Sequence, residues 1–427
     1  MTDHVFVRVE RACAGEDVCV FRLLPLANLA DLRREVANKE RLLLSQVSFV
    51  SKEVKFEEWS SLAADVLPLD DSNEEPEKQQ RFVQLVKLPR LTEEEVRNSR
   101  KLLSLSEDPP IQDTIDKGLV PIYVSYLYED AHPALQLEAA WALTNIAAGS
   151  SSQTKAVVDS GGIEAFVALI ASGNAGLVEQ AVWAIGNVAG DCEEFRDLAL
   201  QAGAAEAIAT HLLDGVQDIN QSSVWDTQVG VSVTWTLSNL CRGVPAPAVD
   251  VLEPILRNLN KLLCLSRPEE LADICWACDY LVSNGDAEVQ RRISEDATAN
   301  LVRILGEPGG SWVLPIKPSI KVVAKLLQTH EESSGGDSSF KQRLIDEGFV
   351  ATLQNVLQIS KREVKQNVCL AVARLLSSPS RASHVQAVLD DLELCKVLLS
   401  LSTDEGAGVQ EAANEAVDAL KRHGWKP

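Results

Sequence analysis

The 427-residue sequence lacks the marks of a membrane protein, of a secreted protein and of the common enzyme classes. No apolar run approaches the ~18 residues that a membrane-spanning helix needs, and no N-terminal stretch resembles a signal peptide. The six histidines never fall at metal-ligand spacing, and there is no phosphate-binding loop or nucleophile elbow. We therefore expect a soluble protein of the cytoplasm and nucleus that is not an enzyme and uses neither a cofactor nor a metal.

Basic residues are also in short supply. Lys and Arg number 40 against 62 Asp and Glu, which gives a formal net charge of −22. Such a charge disfavours direct contact with nucleic acid or anionic membranes and favours basic partners. The nine cysteines form no spaced framework, which is typical of a reducing compartment. The one CxxC pair, Cys275 and Cys278, has no second pair with which to bind zinc, so we interpret it as buried structural thiols.

What the sequence does contain is a repeat. Three times a tryptophan is followed four residues later by an asparagine, and a Trp/Tyr variant closes the series: Trp141/Asn145, Trp183/Asn187, Trp235/Asn239 and Trp276/Tyr280. Residues four apart lie on one face of a helix. The steps of 42, 52 and 41 residues between the tryptophans are typical of helical solenoids of the HEAT or armadillo type. A single tryptophan on a helix usually belongs to the core. A core has no use for an asparagine repeated in register, however, so the series predicts a solvent-facing row.

A glycine that precedes an apolar helix marks the same period, at Gly118, Gly161, Gly203 and Gly348. Glycine suits the sharp turn between a short helix and the next one because it accepts φ > 0. From these marks, residues 91–427 are predicted to form an all-α array of one partial repeat and about seven further repeats. The segment Glu307–Pro318 is expected to be a long loop in this array.

Residues 1–65 differ from the rest of the chain. Two alternating stretches, His4–Glu10 and Val18–Leu23, predict a β-hairpin. A helical stretch with scattered basic residues follows, at Ala30–Val47. The polar and acidic run Asp70–Gln80 predicts a linker, which we place at 66–90. The predicted domains are therefore a small N-terminal extension, an acidic linker and the helical array.

Each residue type in the row suits the binding of an extended basic peptide. The asparagine amide both donates and accepts, so it can hold a peptide bond without reading the side chain. Neighbouring indoles can take the aliphatic stem of Lys or Arg between them and attract its charge, each contact contributing ~0.5–2 kcal/mol. Carboxylates on or just after these helices can complete the selection for a positive group: Glu179, Asp191 and Asp273.

The residues around these pairs resemble one family. The runs EAAWALTNIAAG, VEQAVWAIGNVAGD, TWTLSNLCRGVPAP and LADICWACDYL are similar to the armadillo domain of importin-α, the adapter that carries nuclear-localisation signals. The resemblance implies a right-handed armadillo-repeat solenoid of about seven to eight repeats. It also implies that the tryptophans and asparagines from Trp141 to Asn239 form the major signal-binding site. By the same resemblance, the critical lysine would be held by Gly149, Thr154 and Asp191, and the flanking groove would contain Gln180, Arg242, Asp273, Trp276 and Tyr280.

The chain departs from the family pattern in several places, and two of these departures bear on its function. The family's second, minor site is degenerate, since the positions of its tryptophans and asparagines are occupied by Leu370, Asn414, Lys325, Arg374 and Asp418. The importin-β-binding segment of the family, which is rich in Lys/Arg clusters, is matched only faintly by Ala30–Val47. Two functions stay open at this point. One is a nuclear import adapter for proteins with basic signals, which also binds importin-β. The other is a dedicated chaperone or scaffold for a basic partner that does not use importin-β.

Overall fold

The computed structural model of the protein describes residues 5–11, 17–23, 48–51, 81–86, 91–105, 107–223, 225, 227–332, 338–359, 361–378, 382–404 and 406–426. Contacts divide the chain into two compact units, Met1–Ala207 and Ile208–Pro427. The basic stretch Ala30–Val47 and the polar run Asp70–Gln80, both singled out in the sequence, lie outside the described residues.

The N-terminal part of the first unit contains four strands: β1 (Val5–Arg11), β2 (Asp17–Leu23), β3 (Ser48–Ser51) and β4 (Arg81–Val86). They form one sheet in the order β2-β1-β4-β3. β1 and β2 pair antiparallel, which confirms the predicted hairpin. β4 pairs parallel with β1 and antiparallel with β3. This last strand lies inside the range 66–90 that the sequence assigned to a linker, and its sequence RFVQLV is rich in the aromatic and β-branched residues that favour strands.

The first unit continues with short helices. They are α1 (Glu93–Leu103), α2 (Ile111–Asp116), α3 (Leu119–Tyr126), α4 (Pro133–Ala147), α5 (Ser151–Asp159), α6 (Gly162–Ile170), α7 (Ala175–Asp191) and α8 (Glu193–Gln201), followed by α9 (Ala204–Ile208), within which the unit ends. Capping residues fix several helix starts. The hydroxyl of Thr92 accepts from the backbone N–H of Glu95 at 3.3 Å, and the Glu95 carboxylate accepts from the backbone N–H of Thr92 at 2.7 Å.

The second unit begins with a π-helical turn (Ala209–Leu213) and a 3-10 turn (Ile219–Gln221). The helices that follow are α10 (Gln228–Cys241), α11 (Val249–Leu256), α12 (Leu259–Leu262), α13 (Pro268–Asn284), α14 (Ala287–Asp296), α15 (Thr298–Leu305), α16 (Val313–Glu332), α17 (Ser338–Asp346), α18 (Phe349–Leu357), α19 (Arg362–Leu375), α20 (Ser383–Asp390), α21 (Leu392–Asp404) and α22 (Ala407–Arg422).

Within each unit, the last helix of one repeat packs beside the last helix of the next. In the first unit α1 packs against α4, and α4 against α7. In the second unit α10, α13, α16, α19 and α22 pack in that sequence. The inner side of each helix is closed by fully buried residues, such as Leu143 in α4, Val182 in α7 and Leu375 in α19. The predicted all-α repeat is confirmed, and inside a unit it brings equivalent positions of successive last helices side by side.

The glycines that mark the repeat period lie where the backbone turns sharply between two helices. Gly118, Gly161, Gly203 and Gly348 have φ values of 68°, 79°, 86° and 80°, all in the left-handed region that L side chains rarely adopt. The reason inferred from the sequence for these glycines is therefore confirmed.

The segment Glu307–Pro318 is more helical than expected. A 3-10 turn, Gly310–Trp312, leads directly into α16, which begins at Val313. The prediction of a loop as far as Pro318 is wrong. Pro315 lies in the first turn, where backbone N–H groups have no partner within the helix, and Pro318 lies inside the helix. Lys317 consequently lies on the helix rather than in a loop.

The role of the left-handed glycines can be measured at Gly348. A Cβ placed there would meet no atom within 4 Å, so only the backbone conformation opposes a side chain. We expect Gly348→Ala to lower the free energy of unfolding by about 1 kcal/mol, and Gly348→Asn to lower it by less, because asparagine tolerates the left-handed region. Urea unfolding of the two variants checks this. Equal losses, or no loss for alanine, would contradict it.

Candidate functional site

The row predicted in the first unit lies on α4 and α7. Trp141 and Trp183 are 36% and 39% exposed, although residues on either side of them are fully buried. Asn145 and Asn187, one turn further along each helix, are half-buried. The two tryptophans are therefore partly exposed to solvent, as the repeated Trp/Asn spacing predicts.

The asparagines of this row also fasten neighbouring helices together. Asn187 Nδ2 donates to the backbone carbonyl of Thr144 at 3.1 Å, and Asn145 Nδ2 donates to Ser104 Oγ at 3.0 Å. An amide group has two N–H donors and a carbonyl acceptor, so a single bond leaves most of its capacity for a further partner. The same residue can therefore serve both the packing of the helices and a ligand.

Asp191 ends α7 with an incompletely compensated carboxylate. Its Oδ1 accepts from Ser151 Oγ at 2.8 Å, while its Oδ2 is buried and has no hydrogen-bond donor among the described residues. A carboxylate oxygen without a donor is costly in a protein, and a cation removes that cost. Thr154, which the family resemblance groups with Asp191, is held by its hydroxyl donating to the carbonyls of Ala147 and Ser150 at 3.0 and 3.3 Å.

Gly149 has a local reason to be glycine. A Cβ at this position would lie 2.2 Å from Gln153 Oε1, and that oxygen accepts the backbone N–H of Ser150 at 2.9 Å in the cap of α5. A side chain at Gly149 would therefore displace the cap, whatever the ligand. The other two residues expected in this region, Glu179 and Gln180, are half-buried and buried, and Gln180 Oε1 has no donor within the described part of the chain.

Trp141 already has a cation of its own. The guanidinium carbon of Arg100, on α1, lies 4.3 Å from the centre of the Trp141 ring. Glu138 holds that guanidinium in place through Oε2, which accepts from Arg100 Nε at 2.8 Å, and its Oε1 accepts from Arg97 Nε at 2.9 Å. Burial would raise the pKa of Glu138, but the hydrogen bonds from Arg100 and Arg97 outweigh it and lower that pKa. Over the Trp183 ring no Lys or Arg of the described residues is found.

The second unit repeats the row on α10 and α13. Trp235 is half-buried, Asn239 is buried, and Arg242 follows α10 as an exposed residue. Thr234 Oγ1 donates to Asp273 Oδ2 at 3.2 Å. Burial raises the pKa of Asp273 to about 6, although the hydrogen bond from Thr234 opposes the shift. The described residues thus stabilise the charge of Asp273 only weakly.

Trp276, on α13, contacts the Tyr280 that the sequence paired with it and two lysines that the sequence did not single out as its neighbours. Its ring stacks on Tyr280, with centroids 6.2 Å apart and planes inclined by 26°. Lys317 Nζ and Lys321 Nζ, both on α16, lie 5.4 and 5.5 Å from the ring centre. Like Trp141, this aromatic group is therefore in contact with cations of its own chain.

Comparison with known proteins connects this architecture to one family. A family described as Armadillo/beta-catenin-like repeat matches residues 107–148 and 150–190. Importin subunit alpha-3 of Arabidopsis thaliana is 35% identical over 273 residues, which are 63% of this chain and 48% of that protein. Importin subunit alpha-1a of Oryza sativa subsp. japonica is 35% identical over 68% of this chain and 52% of that protein. Importin subunit alpha-B of Dictyostelium discoideum is 46% identical over 49% of this chain and 39% of that protein.

The chain spans about half the length of the curated relatives it matches. The solved structure of an engineered protein superposes with a TM-score of 0.63 over 78% of each chain. At 23% sequence identity, this similarity is evidence about the fold alone. The fold is thus an all-α armadillo-repeat architecture. Among the helices of the described residues, none has the length and apolarity to cross a membrane.

The raised pKa of Asp273 predicts a stability effect with a definite pH window. The pKa of Asp273 in the folded protein, about 6, exceeds the usual value of 3.8. The ionised side chain therefore destabilises the fold above about pH 6, and this destabilisation disappears as the pH falls from about 6 toward 3.8. We expect Asp273→Asn, which can still accept from Thr234, to raise the free energy of unfolding at pH 7 by about 1–2 kcal/mol, allowing for partial solvent exposure.

Urea unfolding of the parent and of Asp273→Asn at pH 7 and near pH 4 measures this difference. The gain should shrink toward zero at the lower pH. A gain of the same size at both values would mean that the carboxylate charge is not its cause.

Proposed function

From the premise that the chain belongs to the importin-α family of armadillo-repeat proteins, we propose that it binds a basic nuclear-localisation-type peptide in extended form. The row of the first unit forms the main contact, with Trp183, Asn187 and Asp191 at its centre. The second unit, taken by itself, carries residues of the same types, which we propose as a peptide-contacting row of that unit: Trp235, Asn239, Arg242 and Asp273. The ligand is a Lys- or Arg-rich segment of a partner protein.

The observation that carries this proposal is the environment of α7. Trp183 exposes an indole face without a cation of the described residues over it, and Asp191 at the end of the same helix has a carboxylate oxygen without a donor. A ligand ammonium group would neutralise the Asp191 carboxylate. Trp183 lies eight residues earlier, about 12 Å along the helix, so its indole would contact the aliphatic stem of a different Lys or Arg of the ligand. Both groups select for the same type of ligand side chain, a lysine or arginine.

The asparagines supply the part of the binding that does not depend on sequence. Asn187 spends one N–H on Thr144 and has a second N–H and its carbonyl for a peptide bond. An extended peptide presents its backbone groups in alternate directions, so an amide on each successive last helix can hold the strand in register. Side-chain selection is then left to the indoles and carboxylates.

We propose that this binding serves nuclear import. The curated relatives are named as importin subunits, and the same role for this chain would place it in the cytoplasm and nucleus with a cargo protein and importin-β as partners. A chaperone or scaffold that binds one basic protein without importin-β would use the same peptide site. The stretch Ala30–Val47, which bears on that choice, lies outside the described residues.

The first test is the charge of Asp191. We expect Asp191→Asn, which can still accept from Ser151, to weaken binding of a Lys-rich peptide by about ten-fold, equivalent to ~1.4 kcal/mol. Asp191→Lys should weaken it further, because reversal of the charge adds repulsion. Titration calorimetry with the full chain measures both affinities.

Asp159→Asn is the matched control, since Asp159 pairs with Lys155 on α5 at 2.7 Å and lies outside the row. It should leave the affinity unchanged. Equal affinities for the parent, Asp191→Asn and Asp191→Lys would show that this carboxylate does not select the ligand.

The second test separates the tryptophans. Trp183→Ala should weaken binding of the basic peptide by about ten-fold, because an open indole face is lost. Trp276→Ala should change the affinity by less than about three-fold, because its ring already contacts Lys317 and Lys321. Fluorescence anisotropy with a labelled Lys-rich peptide gives both values. Losses of the same size for the two variants would contradict the distinction, and circular dichroism establishes that both are folded.

A further inference from the structure

Helix α16 carries a stripe of lysines where the helices before it carry tryptophan and asparagine. Lys317, Lys321 and Lys325 follow each other at intervals of four residues, so their side chains lie along one face of the helix. Like charges at this spacing destabilise a helix by ~0.2–0.5 kcal/mol per pair. The stripe therefore does not stabilise its own helix, and we look for its role in the groups that the lysines contact.

The first two lysines are held in place by the Trp276 ring and by one carboxylate each. Besides facing the Trp276 ring, Lys321 Nζ lies 2.7 Å from Asp279 Oδ2, and Lys317 Nζ lies 2.7 Å from Glu363 Oε2. The two lysine side chains are still 37% and 38% exposed. Their ammonium groups are therefore fixed in position but not removed from solvent.

The positive charge continues beyond them without local compensation. Arg374, on α19, donates to the carbonyl of Ala324 at 2.7 Å and to Gln328 Oε1 at 3.3 Å, and neither acceptor is charged. These bonds place its guanidinium beside the turn that carries Lys325. Lys325 is half-buried and forms no ion pair or hydrogen bond within the described part of the chain. On α22, Asp418 pairs instead with Lys421 at 3.4 Å.

Of the four cations, Lys317 and Lys321 thus form ion pairs, with Glu363 and Asp279, so positive charge is locally in excess among the described residues. The chain as a whole has the opposite charge, −22. We propose that this cationic surface, formed by Lys317, Lys321, Lys325 and Arg374, binds an acidic segment of a partner protein. It is distinct in charge from the row that the basic peptide occupies, and the proposal does not rest on the proposed function.

The spacing of the charges specifies the segment. Residues four apart on a helix rise by ~6 Å. In an extended peptide, side chains on one face repeat every ~6.6 Å, because alternate residues point the same way. An extended peptide with Glu or Asp at alternate positions therefore matches the lysine stripe almost step for step. Such a segment forms charge-assisted hydrogen bonds with each ammonium group in turn.

A peptide fits this surface better than a nucleic acid does. The Trp276 ring, which could stack a base, already contacts Lys317 and Lys321 and stacks on Tyr280. A long polyanion would also meet the repulsion of a chain with net charge −22, whereas a short acidic segment meets only the local charge.

The test uses the full chain and a short labelled peptide that alternates Glu and Ser, compared by fluorescence anisotropy with the same peptide carrying Gln for Glu. We expect only the Glu peptide to bind, and its affinity to fall steeply toward 1 M salt, where the screening length is ~3 Å. Lys325→Gln is the principal variant because Lys325 forms no ion pair or hydrogen bond with the described residues, and it should weaken binding by about three-fold. Together with Lys317→Gln and Lys321→Gln, the loss should reach about ten-fold or more.

Lys396→Gln is the matched control, since Lys396 lies on α21 and, among the described residues, pairs with Glu393 of the same helix. It should bind the Glu peptide like the parent, and Lys396→Gln and Lys325→Gln should both retain their affinity for the Lys-rich peptide. Equal binding of the Glu and Gln peptides, or unchanged affinity of Lys325→Gln, would overturn the proposal. The proposal would also be overturned if a single-stranded oligonucleotide bound as tightly as the Glu peptide and if the same lysine substitutions abolished that binding.

Discussion

Side-by-side packing of the last helices is the constraint on which the rest of the structure depends. A repeat of short helices cannot bury its own apolar face, so each last helix is closed by the next one in its unit. The hydrogen bond from Asn187 Nδ2 to the carbonyl of Thr144, at 3.1 Å, lies on one such seam. The amide that we propose as a ligand contact is thus part of the packing, and this hydrogen bond restrains its position.

Once packing has fixed these positions, the neighbour of each indole decides what that indole can do. Arg100 lies 4.3 Å from the Trp141 ring, and two lysines lie within 5.5 Å of the Trp276 ring. A cation of the protein gains the same attraction from a ring that a ligand cation would gain, so the two compete. Identical residues at equivalent places therefore differ in what they can bind, and Trp183 is the more exposed ring of the first unit, with no cation of the described residues over it.

Much of the fold could be predicted from the sequence because its causes are local. The spacing of four between Trp183 and Asn187 indicates one helix face, and the positive φ of Gly161 follows from a turn that only glycine adopts without strain. The hairpin of β1 and β2 follows in the same way from alternation.

The charge state of the site could not be predicted in this way, because its causes lie in neighbouring repeats. Arg100 reaches Trp141 from the repeat before it, and the prolines near Lys317 suggested a loop where the chain is helical. The pKa of Asp273 depends on how deeply the surrounding helices bury it. The hydrogen bond that Asp191 Oδ1 accepts comes from Ser151, 40 residues earlier in the chain. The sequence period predicts which positions form the row, but it does not predict which of these side chains are already in contact with charged groups of the same protein.

Uncompensated charge is the property that separates a binding surface from a merely polar one. A half-buried charge without a partner lowers stability whatever else the protein does, and almost any neutral substitution would relieve it. Among the described residues, Asp191 and Asp273 each accept a hydrogen bond from a hydroxyl but have no cation beside them, and Lys325 has no carboxylate beside it. Solubility does not explain them, since a chain of net charge −22 has charge in excess on its exposed surface. Two sets of opposite sign, each on the exposed side of last helices, are the arrangement expected of a protein that binds ligands of both signs at different places.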